Sequence, residues 1–327
     1  MKPQTETQLQ PLLLDPNGPR VVAIGGGHGQ ASALEAIQSY ASSIAALVTV
    51  ADDGGSSGRL VDLGIPPPGD LRRCLLALTP EPSLWSELFA HRFDEGDVID
   101  HSLGNLIIAA LAHMYGDFED AISTAGRMLG ALGEVIPVAT DPLTLHARID
   151  GEVFTGQRLI SSTAGRFEDV WLEPADVVAS RSALAAVASA DQIVIGPGSL
   201  YTSIVSALKV NMLAEAVMSA GAQRIFVMNL VTQEGETLDM DGAAHLEALE
   251  SLVGIQGPSI VVAHDGPLNV PPGHDAVRIE PGTAAERGWT VYFADLASED
   301  ADWPEHDPLK LGRVLEGLWE GNEPMQK

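Results

Sequence analysis

Asp52 and Asp53 close an apolar, β-branched run and are followed at once by Gly54, Gly55, Ser56, Ser57, Gly58 and Arg59. Two adjacent carboxylates at a strand end can hold a magnesium ion shared with ligand phosphates, or accept hydrogen bonds from ribose hydroxyls. The glycines permit a nest of backbone N–H groups, Ser56 and Ser57 supply hydroxyls, and Arg59 can pair with phosphate through two parallel bonds. An acidic surface turn capping a helix would use the same residue types, so this stretch alone leaves both readings open. A second stretch, Gly25, Gly26, Gly27, His28, Gly29 and Gln30, follows an apolar run and opens a helical pattern. Glycines placed there let N–H groups approach a phosphate at the positive end of a helix, or simply allow tight packing. Gln30 stands where a dinucleotide fingerprint needs its third glycine, and no Gly-Lys-Ser/Thr follows as in a Walker loop.

Other segments offer partners for these two. Pro66, Pro67 and Pro68 fix an extended approach to Asp70, which is expected to cap a helix carrying Arg72 and Arg73. Of those arginines, one is expected to face a ligand and the other to be solvated. His101 to Asn105 places an imidazole, a hydroxyl and an amide at a helix start, where an N-cap and a ligand contact are equally good readings. Gly196, Gly198, Ser199 and Thr202 follow the strand-like run Gln192 to Ile195 and form a second anion-binding geometry. That loop lacks the G-x-S-x-G spacing of a hydrolase nucleophile elbow. Asn229, Thr232 and Gln233 follow another such run and can line the same crevice. The nine histidines form no local metal-ligand pattern and are read as structural or surface residues, while the methionines and aromatic residues are assigned to the core. No residue type compels a nucleophile or a general base.

The elements that must position these residues follow from hydrophobic period and turn signals. Val21 to Ile24 reads as a buried strand, Ala31 to Tyr40 as a helix and Ile44 to Val50 as a second strand. That βαβ unit implies a right-handed crossover and a parallel sheet, which places both loops at the carboxyl edge where open α/β sheets bind ligands. Helices are expected near 82–92, 103–115 and 118–129. Residues 134–162 change to short β-rich runs with Asp150-Gly151 as a hairpin signal, read as an antiparallel insertion. Strands are then expected at 192–195, 224–230 and 259–265, and helices at 213–220 and 307–319. The fold class is α/β: a mainly parallel sheet flanked by helices, with a small antiparallel β insertion. Residues 1–18 are read as a disordered tail and 19–327 as one domain.

Composition restricts the partners. The 327 residues carry a formal net charge of -27, which argues against nucleic acid or an anionic membrane surface as a partner. Against so acidic a background, Arg59, Arg72 and Arg73 form a basic cluster beside the glycines. Cys74 is the single cysteine, so neither an internal disulfide nor a cysteine metal cage can form, and a reducing cytoplasm is the expected compartment. No stretch reaches the roughly 20 apolar residues of a membrane span.

Six strings in series, GGGHG, TVADDGGSSGRL, GIPPPGDLRRCLLAL, HSLGNLIIAAL, GPGSLYTSI and NLVTQEGET, resemble the gluconeogenesis factor family, the YvcK-like branch of the CofD superfamily. The resemblance spans about residues 20 to 240, with a weaker echo in ADLASEDADWPEHDPLKL. It implies a Rossmann-like fold, a cytoplasmic protein and recognition of UDP-sugars such as UDP-N-acetylglucosamine, together with roles in gluconeogenic growth, cell shape and peptidoglycan supply. The other branch of the superfamily transfers phospholactate from a nucleotide diphosphate donor to a deazaflavin precursor with magnesium. Two departures stand out: His28 replaces a threonine, and Glu305-His306-Asp307 replaces Arg-His-Asp, which removes a cationic contact. The first functional reading is therefore a nucleotide-sugar-binding regulator. A magnesium-dependent transferase is the alternative, with Asp52 and Asp53 as metal ligands, and a dinucleotide enzyme ranks third. A homo-oligomer is among the expected assemblies.

Overall fold

A computed structural model describes residues 14–54, 60, 64–80, 82–299 and 301–321. Most of the expected tail, and Gly55, Ser56, Ser57 and Arg59, lie outside the described residues. The chain opens with β1 (Arg20–Gly25), α1 (Gly27–Ile37) and β2 (Ser43–Val48). Next come α2 (Gly69–Ala77), α3 (Leu84–Ala90), α4 (Leu103–Tyr115) and α5 (Phe118–Leu129). The middle holds β3 (Glu134–Pro137), β4 (Thr144–Ile149), β5 (Glu152–Thr155), the one-turn α6 (Gln157–Ile160) and β6 (Phe167–Glu173). Then follow α7 (Arg181–Ser189), β7 (Gln192–Ile195), a π-helical segment Leu200–Val205, α8 (Leu213–Ser219) and β8 (Gln223–Val227). The chain ends with α9 (Gly242–Val253), β9 (Ser259–His264), α10 (Pro281–Glu286), β10 (Trp289–Ala294) and α11 (Pro308–Trp319).

Seven strands form one sheet in the order β10-β9-β8-β7-β1-β2-β3, with every pair parallel. The chain runs outward from β1 through β2 to β3 and later returns to β7 on the other side of β1. The order therefore reverses between β1 and β7, where a crevice opens at the carboxyl edge. β1 is buried beyond Arg20 and β7 throughout, as continuous apolar strands covered on both faces must be.

Several boundaries depart from expectation for identifiable reasons. Helix α1 begins at Gly27 rather than Ala31, because the turn is confined to an extended Gly26 and a left-handed Gly27 (φ 71°). Glu134–Pro137 is no part of the insertion: three of its four residues are buried, and it pairs parallel with β2 at the sheet edge. The insertion is the antiparallel sheet β5-β4-β6, so it extends to Glu173. Its first turn is the expected Asp150-Gly151, both with positive φ (49° and 82°) as a tight hairpin requires. The alanine-rich α7, the glycine-started α9 and the edge strand β10 were not anticipated.

The closing helix α11 lies on α1, where Gly312 admits the Ala36 carbonyl: a Cβ there would stand 2.8 Å from that oxygen. At the amino edge, Tyr40 Oη donates to Gln192 Oε1 at 2.5 Å, and Gln192 Nε2 donates to Gln223 Oε1 and the Leu315 carbonyl. Gln223 Nε2 donates in turn to the Leu318 carbonyl. Among the described residues, no helix is long and apolar enough to cross a membrane.

Candidate functional site

The loops after β1 and β7 touch. A Cβ on Gly29 would lie 2.6 Å from the Pro197 carbonyl oxygen, and one on Gly26 would lie 2.6 Å from Asp70 Oδ2. Gly198, with φ 158°, stands over the Gly26 carbonyl. Glycine is thus required for loop-on-loop contact, and that contact shapes the cavity. Gln30 explains the missing third glycine: its buried amide donates to the carbonyls of Ala23 and Leu47, tying β1 to β2.

The cavity measures about 500 Å³ and is lined by Gly26, Gly27, His28, Gly29, Asp52, Asp70, Arg73, Gly198, Ser199 and Asn229 from the sequence reading. Ser203, Gln233, Trp303, Glu305 and His306 are also among its lining residues. A larger cavity, about 840 Å³, opens among the starts of β1 and β2 and includes no residue of the 25–29 or 196–199 loops. Convergent polar groups favour the smaller one.

Asp70 is not the helix cap. It lies inside the first turn of α2, whose N-cap is Pro68, and its Oδ2 accepts the Gly27 N–H at 2.9 Å while Oδ1 pairs with Arg73 at 2.5 Å. The carboxylate fastens α2 to the glycine loop and uses one of the loop's donors. The N–H groups of His28 and Gly29, in the first turn of α1, are the ones a phosphate can still meet. Arg73 reaches the cavity, whereas Arg72 is buried rather than solvated. Its Nε donates to Asn105 Oδ1 at 3.0 Å and its Nη1 to the Phe89 carbonyl. Burial, with repulsion from Arg73, holds the Arg72 guanidinium down to about 10. Asn105 serves this buried arginine and does not line the cavity.

The second loop holds an internal anion. Glu236, unflagged by the sequence reading, is buried and accepts from the N–H groups of Tyr201 and Thr202 and from Thr202 Oγ1, the last at 2.6 Å. Burial raises its carboxyl above the usual range, against the lowering effect of those bonds. Thr202 therefore faces Glu236 rather than the cavity, which on this loop is lined by Pro197, Gly198, Ser199 and Ser203. Asn229 Oδ1 accepts the Gly198 N–H at 3.4 Å. Gly25 and Gly196 support the loops from behind.

The two aspartates separate in role. Asp52 lines the cavity and accepts the Gly54 N–H, while Asp53 Oδ1 accepts the Arg158 N–H of the insertion at 2.8 Å. Among the described residues, no three histidine, cysteine or acidic side chains gather as a metal cluster. Magnesium fits only in its usual form, held by Asp52 with the remaining ligands from phosphate and water. It would then supply neutralisation of phosphate charge. His28 is lowered from its ordinary value by burial and by Arg73, which favours the uncharged imidazole. His306 Nε2–H donates to the Met228 carbonyl, and burial pushes this ring down to about 4. Trp303, assigned to the core with the other aromatic residues, is instead 43% exposed and lines the cavity.

A glycine-lined crevice at the point where strand order reverses is the ligand site of doubly wound nucleotide-binding proteins. The chain belongs to the gluconeogenesis factor family of the CofD superfamily: the family model "2-phospho-L-lactate transferase CofD" matches residues 21–284. The chain is 42% identical to the gluconeogenesis factor of Bacillus subtilis over 72% of its own length and 75% of the relative's. It is 40% identical to that of Halalkalibacterium halodurans over 76% and 78%. A crystal structure of a UPF0052-family protein from Bacillus halodurans superposes with a TM-score of 0.85 at 34% identity, covering 90% of this chain and 97% of the other.

Proposed function

We propose that the cavity binds a nucleotide diphosphate sugar of the UDP-N-acetylglucosamine type, and that the chain is a cytoplasmic regulator of gluconeogenic growth, cell morphogenesis and peptidoglycan supply. The meeting of the Gly26–Gly29 and Gly198–Ser199 loops carries this reading. Their contact sets the first-turn N–H groups of α1 and the Arg73 guanidinium around one cavity of about 500 Å³. A thermal-shift and calorimetric panel of UDP-sugars and other nucleotides tests it. A ligand at 100 times its Kd stabilises the fold by about 2.7 kcal/mol. No stabilisation by any nucleotide would reject the reading.

The match to a transferase family model over residues 21–284 favours a second reading: magnesium-dependent transfer of a phospholactyl group from a lactyl-diphospho-nucleotide. Release of a nucleoside monophosphate that needs magnesium and is lost in Asp52→Asn would establish it. UDP-sugar binding that persists in chelator, with no product, would support the regulator.

A further inference from the structure

We infer that Trp303 is the ring-stacking platform of this cavity, so that the bound molecule must carry a planar heterocycle; the inference rests on the nucleotide reading above. Trp303 is 43% exposed, and of the large apolar side chains left exposed among the described residues it is the one that also lines the cavity. The same lining includes the apolar Leu230, Val231 and Pro304 together with the charged Asp52, Asp70, Arg73 and Glu305. One cavity thus combines an apolar, planar group with the Arg73 guanidinium and the first-turn N–H groups of α1. A molecule with an aromatic ring at one end and phosphate at the other matches both.

The indole is held in place. Its ring lies 4.9 Å from His274 at an interplanar angle of 87°, a T-shaped contact. His274 is itself fixed by Nδ1–H donating to the Thr232 carbonyl at 2.9 Å. The backbone beyond Trp303 is pinned where Ser298 N–H donates to the Glu305 carbonyl and Asp307 N–H to the Leu296 carbonyl. A ring held in this way, yet 43% exposed and in the cavity lining, loses little freedom when a ligand ring stacks on it.

Calorimetry on wild type, Trp303→Ala and Trp303→Phe, with UDP, UDP-N-acetylglucosamine and inorganic pyrophosphate as probes, tests the assignment. Stacking on an aromatic side chain predicts a roughly 5- to 150-fold weaker Kd for UDP and UDP-N-acetylglucosamine in the alanine variant. The phenylalanine variant should retain most of the affinity, and pyrophosphate, which has no base, should bind all three proteins alike. UDP should quench part of the fluorescence of wild type but not of Trp303→Phe. Unchanged UDP affinity in Trp303→Ala overturns the inference while leaving the nucleotide reading standing. Equal losses for UDP and pyrophosphate also overturn it, since the side chain would then only shape the loop. A folded wild type that binds no nucleotide overturns both.

Discussion

Replacing Glu236 by alanine removes the acceptor of the N–H groups of Tyr201 and Thr202 and of the hydroxyls of Thr202 and Ser199. Each buried donor left unpaired costs about 1–3 kcal/mol, and the two shorter contacts, at 2.6 and 3.0 Å, dominate. Removing a buried carboxylate returns part of that, because burial disfavours its charged form. The expected net loss is about 2–4 kcal/mol, a large share of the 5–15 kcal/mol that holds a typical domain together. Glu236→Gln is the informative control. Its Oε1 can accept both N–H groups, and its amide can donate to Thr202 Oγ1 once that hydroxyl turns from donor to acceptor. It should stay within about 1 kcal/mol of wild type at neutral pH. Urea denaturation of the three proteins measures this, read as a shift in midpoint at constant m. The pH dependence supplies a second check. A raised carboxyl means that the folded state holds its proton more tightly than the unfolded state. This contribution therefore falls as pH rises from the ordinary carboxyl range through the raised value, and Glu236→Gln should abolish the fall. Equal midpoints for the alanine and glutamine variants would refute the account of Glu236 as the acceptor that organises the second loop.

The imidazole of His306 should make the protein acid-sensitive: its folded value near 4 lies below the ordinary 6.5, so protons favour the unfolded chain across that interval. Stability should fall by on the order of 3 kcal/mol between pH 6.5 and 4 from this group, and His306→Gln should flatten the profile by that amount; equal slopes would reject it. Gly29→Ala drives a methyl group against the Pro197 carbonyl and should cost about 1–3 kcal/mol while weakening UDP binding more than tenfold; unchanged melting and affinity would show that the loops yield freely.

The sheet was legible wherever one signal dominated. Val21 to Ile24 and Gln192 to Ile195 are uninterrupted apolar runs ending in glycine, and each became a central strand feeding a cavity loop. Glu134–Pro137 misled because four residues are too few for a period, and only pairing with β2 decides their sheet. The glycine loops after β1 and β7 were legible as loops at the carboxyl edge, whereas the side-chain bonding around them was not. Asp70 resembles a cap in sequence but reaches Gly27 across 43 residues. Arg72 and Arg73 are adjacent in sequence, and only the packing of α3 and α4 shows that one is buried. Glu236 and Trp303 lie inside the family-like strings, but only their tertiary placement shows what each one does.

The central position of β1 has a consequence for synthesis on the ribosome. Arg20 at its start pairs with Asp191, 171 residues later, and the helix that follows it is covered by α11 at the other end of the chain. At about 5–20 residues per second, β1 waits roughly 10–30 s for the strand that completes its second edge. Helix α1 waits longer still, until the closing helix has emerged. Throughout that interval the nascent segment β1–α1–β2 shows water an unpaired strand edge and an apolar helix stripe, the two features that recruit chaperones and promote misassembly. The arrangement that sets the crevice in the middle of the sheet therefore also delays completion of the sheet until partners distant in sequence have emerged.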